Sequence, residues 1–187
     1  LLAERFIANY GRCTIDINQG TKRLQVRGGS PLLGTLMEEG VFIPSACGGK
    51  GSCGECKVKV LTGGGPIAPT EAPLLSDQQR GANLRISCQV KVRNDMSIEV
   101  PPELFSVREY QAVVERIVDL THDIKELRLK LIEPGEIEFQ AGQYVQLQAP
   151  AYAGNESVYR AYSVASPPDE KGHVELIIRL VPGGICT

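Results

Sequence analysis

The sequence predicts two consecutive domains, a small α+β domain followed by an all-β domain built as an antiparallel barrel. Three observations carry this prediction. Short strand patterns surround a clear helix pattern in the first half of the chain, longer and evenly spaced strand patterns fill the second half, and Pro101-Pro102 lies between them. Proline fixes φ and lacks an amide hydrogen, so a proline pair ends a sheet ladder and stiffens a linker. We therefore predict a linker at residues 102–108.

The first domain is predicted to cover residues 13–101 and to begin with a hairpin. Alternating apolar residues over 14–18 and 23–26, with Gln-Gly between them, are typical of two antiparallel strands. Ser30 and the proline after it predict the N-cap and first turn of a helix, which Gly40 ends.

The rest of this domain is predicted to be strands around one more short helix. Ser76 with a glutamine three residues later fits a capping box that begins a helix. Strands with one or two helices in so short a stretch predict a small α+β domain. The strands are predicted over residues 57–61, 85–92 and 96–100.

The second domain is predicted to cover residues 109–187 and to be an antiparallel barrel. Its apolar runs are separated by turn clusters such as Glu133-Pro134-Gly135, and no strong helix pattern interrupts them. Evenly spaced strands with this turn chemistry are typical of barrels. The strands are predicted over residues 110–118, 124–132, 144–148, 159–165 and 174–181.

Composition and charge narrow the functional classes. Apolar residues make up 42% and charged residues 22%, which is ordinary for a globular protein and argues against global disorder. The 20 basic and 22 acidic side chains give a net charge of −2, so a basic footprint is lacking and no nucleic-acid partner is expected. No apolar run within the sequence is long enough to cross a bilayer.

The two ends of the chain indicate a longer protein. The chain begins at Leu1 rather than methionine, and residues 1–12 form an apolar stub that we interpret as the end of a membrane helix. An ordinary amphipathic helix start is the alternative. The chain stops just after a Gly-Gly turn, so we expect the barrel domain to be incomplete.

Four of the six cysteines follow the pattern C-x5-C-x2-C-x31-C. Disulfides fit poorly, because two domains of this size need no staples and no secretory signal is present. A zinc site is a second interpretation, although zinc ribbons usually pair two Cys-x2-Cys knuckles, whereas the last cysteine here stands alone. A [2Fe–2S] cluster is the third, because plant-type sites take three cysteines from one loop and a fourth from far downstream.

The glycines around these cysteines favour the iron–sulfur interpretation. Gly48, Gly49, Gly51 and Gly54 leave the loop without bulky side chains, so backbone amides can turn towards sulfur. Such hydrogen bonds stabilise the more negative, reduced form of a cluster, and zinc needs no comparable set of donors. The other cysteines, at positions 13 and 186, are interpreted as small buried apolar residues.

A resemblance to a known family covers nearly the whole chain. Residues 44–56, with the sequence PSACGGKGSCGEC, and residues 85–90, RISCQV, closely resemble the ferredoxin domain in the F subunit of the Na⁺-translocating NADH:quinone reductase. That family has the same five-residue gap between its first two cysteines. The resemblance implies a β-grasp fold and four cluster ligands, namely Cys47, Cys53, Cys56 and Cys88.

The second half resembles the flavin barrel of ferredoxin–NADP⁺ reductase-type enzymes through the motif Arg160-Ala161-Tyr162-Ser163. The resemblance implies that Arg160 pairs with the FAD pyrophosphate, Tyr162 stacks on the isoalloxazine, and Ser163 bonds near the reactive nitrogen. Alternation in a strand puts residues 160 and 162 on one side. The alternative is a plain barrel strand with a surface arginine and a core tyrosine.

The last residues resemble the second pyrophosphate motif of the same enzymes. Gly184 would begin a helix whose first amides face phosphate, and Thr187 would supply a hydroxyl. The resemblance implies that an NADH-binding domain follows Thr187, with NADH as its substrate.

The implied function is electron transfer in an NADH-dependent reductase that contains FAD and a [2Fe–2S] cluster. Its expected partners are a redox protein or the membrane subunits of a reductase complex, on the cytoplasmic side of the cell membrane. The cofactors carry this chemistry, so no catalytic side chain is expected. Three alternatives stay open: the reductase component of an oxygenase, a non-enzymatic ferredoxin-type carrier, and a zinc-stabilised binding module.

Overall fold

A computed structural model describes residues 10–151 and 157–184 of the 187-residue chain. The chain divides into two compact units, one ending at Val107 and the other beginning at Arg108. Most of the N-terminal stub, Cys186 and Thr187 lie outside the described residues. Within the described part, no helix is long and apolar enough to cross a membrane.

The first unit is a five-stranded sheet crossed by a short helix, the arrangement of a β-grasp fold. Its strand order is β2-β1-β5-β3-β4, in which β1 and β5 run parallel at the centre and all other neighbours are antiparallel. The elements are β1 (Arg12–Ile17), β2 (Lys22–Arg27), α1 (Leu32–Glu38), β3 (Lys57–Thr62), a 3₁₀ turn (Ala72–Leu74), α2 (Asp77–Gly81), β4 (Leu84–Ile86) and β5 (Met96–Glu99).

The core of this unit lies between the sheet and α1. Alternate residues of the hairpin, such as Ile15 and Ile17, point to the same face and are fully buried. Leu32 and Leu36 lie four residues apart on α1, so they share a helix face, and both are fully buried. Helix and sheet therefore cover each other's apolar faces, as the sequence pattern predicts.

Two local predictions are corrected. Pro31 rather than Ser30 occupies the N-cap of α1, because Pro31 is still extended at φ −60° and ψ 141°. No side-chain hydrogen bond caps the helix, since the proline ring has no acceptor. The strand predicted over residues 85–92 ends at Ile86, since the amides of Gln89 and Val90 both turn back to the Ile86 carbonyl. The capping box at Ser76 is confirmed.

A buried ion pair joins β4 to the loop that precedes α2. Glu71 is fully buried and Arg85 is nearly so, and the Arg85 Nε lies 2.9 Å from the Glu71 carboxylate. The guanidinium also donates to three loop carbonyls at 2.9–3.1 Å, those of Gly64, Gly65 and Pro66. The carboxylate accepts from the Ala68 and Ile86 amides as well. Such full hydrogen bonding is what makes a buried charge tolerable.

The second unit contains two small antiparallel sheets, and its described strands do not close into a barrel. One sheet has the order β10-β7-β6 and the other pairs β8 with β9; an isolated bridge from Val164 to Leu176 links them. All five predicted strands are confirmed within a few residues. They are β6 (Gln111–Asp119), β7 (Ile124–Glu133), β8 (Tyr144–Ala149), β9 (Val158–Ser163) and β10 (His173–Arg179).

The core of the second unit is smaller. It consists of five buried apolar residues, with partly buried side chains from β8 and β9 packed against them. By contrast, β6 is exposed along most of its length, with Val114 and Ile117 more than half exposed. The five buried residues, named here the second core, are Leu129, Leu131, Ile137, Val174 and Leu176.

We expect Arg85→Met to destabilise the first unit by about 3–5 kcal/mol, because it leaves the Glu71 carboxylate buried without its cation. The measurement is native-state hydrogen exchange of the β3 and β4 amides. Lys59→Met, which breaks the partly exposed pair with Glu99, is the matched control and should cost much less. Equal losses in the two variants would contradict the role given to the buried pair.

Candidate functional site

Three of the four patterned cysteines lie in the loop between α1 and β3, whose path depends on glycine. Gly48, Gly49, Gly51 and Gly54 have φ values of 60°, 86°, 75° and 69°. Residues with a Cβ rarely adopt positive φ, so these four positions permit turns that other residues would resist. The loop can thus fold tightly around its own cysteines.

The fourth cysteine, Cys88, lies in the turn that follows β4. The Ser87 amide and hydroxyl both donate to the Cys56 carbonyl, each at 2.8 Å. The Ser87 carbonyl in turn accepts from the Leu33 amide of α1 at 3.1 Å. Cys88 is therefore held beside the last loop cysteine despite the 31 residues between them.

The four sulfurs come together as two pairs. The sulfurs of Cys47 and Cys53 are 3.3 Å apart, and the thiols of Cys56 and Cys88 are hydrogen-bonded to each other. The two pairs are close enough that charge on Cys47 raises the pKa of both Cys56 and Cys88. In the described part of the chain, no three Cys, His, Asp or Glu side chains are grouped so as to hold one metal ion.

The environment favours thiolates at two of these positions. Burial raises the pKa of Cys47, but hydrogen bonds from the Ser52 and Cys53 amides outweigh it and bring that pKa to about 6. The hydrogen bond from the Cys88 thiol lowers the pKa of Cys56 to about 6, while Cys88 retains its proton and has a raised pKa. Thiolates are the form in which cysteine binds metals.

Backbone amides do point at sulfur, but not from the first two glycines of the loop. Gly48 donates to the Ser45 carbonyl at 3.1 Å, and Gly49 donates to the Ser45 hydroxyl at 3.0 Å. The donors to Cys47 are instead Ser52 and Cys53, each through its backbone amide and its side chain. The glycines thus shape the loop, and their neighbours supply the N–H groups.

This donor set fits a two-iron cluster better than a single zinc ion. A [2Fe–2S] cluster takes four thiolates, two on each iron, whereas structural zinc gathers four ligands tetrahedrally around one centre. Two separate sulfur pairs and nearby N–H donors match the first requirement. Cys13 is buried elsewhere, in β1, where its thiol lies 3.7 Å from the Tyr10 carbonyl.

The predicted flavin residues Arg160 and Tyr162 lie on β9. Arg160 pairs with Leu147 and Tyr162 pairs with Val145 across the two-stranded sheet, so all four share one face. Tyr162 is partly buried and packs against the second core. Arg160 is half-buried and donates to the Tyr159 carbonyl at 2.8 Å.

The remaining predicted flavin residues lie at the ends of elements. Ser163 ends β9 opposite Tyr144 and is exposed. Gly184 is half-buried, and its amide donates to the Val181 carbonyl at 2.7 Å to close a turn. Thr187 lies outside the described residues, so its predicted contact with phosphate stays a prediction.

Sequence reasoning missed the residues that position the cysteines. Ser45, Ser87 and Gln89 all flank patterned cysteines, and their polarity next to buried positions was the available signal. Glu71 offered none, because a lone acidic residue in a loop is usually solvated. Only the folded chain reveals that it is buried against Arg85.

We expect Ser87→Ala to lower the stability of the first unit by about 1 kcal/mol, since one buried hydrogen bond to the Cys56 carbonyl is lost. The measurement is hydrogen exchange in β3 and β4. Ser30→Ala is the matched control: Ser30 is exposed and does not cap α1, so its loss should stay below about 0.5 kcal/mol. A larger effect at Ser30 than at Ser87 would contradict this assignment.

Two protein families match the chain, one for each unit. The 2Fe-2S iron–sulfur cluster binding domain matches residues 15–93, and the oxidoreductase FAD-binding domain matches residues 111–187.

Similar proteins include the F subunit of the Na(+)-translocating NADH-quinone reductase from two organisms. The protein from Neisseria meningitidis is 41% identical over 207 aligned residues, covering 96% of this chain and 51% of the relative. The protein from Marinomonas sp. is 39% identical, covering 96% and 50%. The chain thus spans about half the length of the curated relatives it matches.

Solved structures of two reductases are also similar. The Amycolatopsis cytochrome P450 reductase GcoB has a TM-score of 0.60 and 31% identity, over 94% of this chain and 51% of that one. The ferredoxin reductase in carbazole 1,9a-dioxygenase has a TM-score of 0.55 and 27% identity, over 94% and 52%. The chain is therefore similar to the F subunits of the Na(+)-translocating NADH-quinone reductase over about half of their length, and in this chain a 2Fe-2S iron–sulfur cluster binding domain is followed by an oxidoreductase FAD-binding domain.

Proposed function

We propose that the first unit, within residues 13–101, binds a [2Fe–2S] cluster. Cys47 and Cys53 would hold one iron. Cys56, at the end of the loop before β3, and Cys88, in the turn after β4, would hold the other. The observation that carries this proposal is the arrangement of the four sulfurs in two neighbouring pairs. Four buried or half-buried thiols are the ligand chemistry that such a cluster requires.

We propose that the second unit, within residues 109–187, binds FAD through β9. Arg160 would contact the pyrophosphate, because a guanidinium offers two parallel N–H groups to phosphate oxygens. Tyr162 would offer its flat ring to the isoalloxazine, with Ser163, Gly184 and Thr187 as further polar contacts. Support comes from the family match over residues 111–187 and from the shared face of Arg160 and Tyr162.

Together these sites make the chain part of an NADH-dependent electron-transfer protein. When bound, FAD can accept an electron pair as hydride, and the cluster exchanges one electron at a time. The role of the protein side chains is to bind, orient and shield these groups. We propose a quinone-type acceptor, because the curated relatives at about 40% identity are named NADH-quinone reductase subunits.

The similar solved structures favour a second candidate, the reductase component of an oxygenase. The Amycolatopsis protein is a cytochrome P450 reductase, and the other is the ferredoxin reductase in carbazole 1,9a-dioxygenase. The electron acceptor distinguishes the two candidates. With NADH as donor, the whole protein should pass electrons to a quinone-reducing complex if it is a quinone-reductase subunit. It should instead pass them to an oxygenase or its ferredoxin if it is an oxygenase reductase.

The proposed partners follow the same division. For the quinone-reductase function they are membrane subunits of a complex, and the protein would work at the cytoplasmic side of the membrane. For the oxygenase function the partner is a soluble redox protein. Co-purification of the whole protein with membranes, followed by salt and detergent washes, separates these outcomes.

We expect the anaerobically purified chain to contain two irons and two sulfides. Its EPR spectrum should be silent when oxidised and paramagnetic after dithionite. Serine at position 47, 53, 56 or 88 should remove most of the iron, because a hydroxyl is a poor replacement for a thiolate ligand.

Cys13→Ser is the matched control, since Cys13 is buried in β1 outside the four, and it should keep its iron. One zinc per chain and no reducible centre would contradict the cluster. Equal iron loss in the Cys13 variant would contradict the choice of ligands.

We expect Arg160→Leu to weaken FAD binding by the whole protein about 10- to 100-fold, the range for losing a charge-assisted hydrogen-bond pair. Flavin fluorescence titration measures the affinity. Arg179→Leu is the control, because Arg179 is an exposed arginine paired with Asp123. Affinity unchanged by Arg160→Leu would contradict its contact with pyrophosphate.

A further inference from the structure

The side chain of Gln89 contacts a cysteine sulfur, although Gln89 is not one of the proposed ligands. The Gln89 Nε2 lies 3.5 Å from the Cys88 Sγ and donates a hydrogen bond to it. Gln89 is half-buried and lies in the turn after β4. Its backbone amide donates to the Ile86 carbonyl at 2.8 Å. The backbone at Gln89 is therefore held by this turn.

The cysteine loop passes close to the Gln89 amide at Gly51. A Cβ on Gly51 would lie 2.4 Å from the Gln89 Nε2 and 3.1 Å from its Cδ. Real Cβ atoms do not approach so closely, so a larger residue at position 51 would displace this amide from its present place. The Gly51 φ of 75° adds a second reason for glycine at that position. The amide is thus enclosed between Gly51 and Cys88.

We infer that Gln89 is a positioning residue that sets the reduction potential of the metal centre through its hydrogen bond to the Cys88 sulfur. The inference rests on the proposed function, since it requires a cluster bound at Cys88. An N–H donor to a ligating sulfur stabilises the form of the centre with more negative charge, which is the reduced form. A centre with this bond is therefore easier to reduce than the same centre without it.

The test compares Gln89→Met and Gln89→Glu with the wild-type chain, each carrying its cluster and titrated with dithionite under EPR observation. Methionine keeps the length but lacks the donor, so the one-electron reduction equilibrium should fall about three- to tenfold; tenfold corresponds to 59 mV. Glutamate keeps the shape but brings a negative charge, so its equilibrium should fall further.

Gln25→Met is the matched control, because Gln25 is exposed on β2, at the opposite edge of the sheet from β4. Its potential should equal that of the wild type. A reduction equilibrium within twofold of wild type in either Gln89 variant would overturn the inference while leaving the cluster assignment intact. A wild-type chain without iron and without an EPR signal would instead overturn the proposed function, and the inference with it.

Discussion

The buried ion pair between Arg85 and Glu71 organises the part of the first unit that bears the fourth cysteine. Its guanidinium gathers three carbonyls of the 64–66 loop, and its carboxylate partner also accepts from the Ile86 amide at 3.3 Å. The next residue along the chain, Ser87, donates a hydrogen bond to the Cys56 carbonyl. Cys88 thus follows three residues that are each fixed by different partners.

Positioning of this kind matters because the cysteines cannot fix one another without a metal. Pairs of thiols attract only weakly, and like charges on neighbouring thiolates repel. The Ser87 amide and hydroxyl instead hold the Cys88 turn beside Cys56, and the Gly49 amide bonds to the Ser45 hydroxyl within the cysteine loop. If these four cysteines bind a cluster as proposed, less of the binding energy would be needed to bring the two segments together.

The sequence could predict the strands, the two helices and the cysteine pattern, because each leaves a local signal. Periodicity located all five strands of the second unit, and the capping box located α2. The periodicity gave a wrong prediction at residues 87–92. Alternating apolar residues continue the strand pattern there, but the Gln89 and Val90 amides donate back to the Ile86 carbonyl. The competition between a strand and a turn was decided there by tertiary contacts.

The same limit applies to the supporting residues of the site. Glu71 is fully buried although nothing in its neighbours in sequence marks it as buried. The burial of Glu71 depends on Arg85, which lies 14 residues later in the chain. Neither residue alone therefore predicts the buried ion pair from the sequence. Gln89 and Gly51 form a similar pair, since the glycine's role becomes visible only when the glutamine amide is found against it.

The second unit places a structural demand on the residues proposed to bind FAD. Its two sheets are joined by one bridge, Val164 to Leu176, and by side chains of β8 and β9 packed on the second core. Tyr162 is one of those side chains. Under the proposed function its ring would have two roles, packing against the core and offering a surface to flavin. Phenylalanine at that position would preserve both roles, whereas leucine would preserve only part of the packing, because the flat aromatic face is what stacking requires.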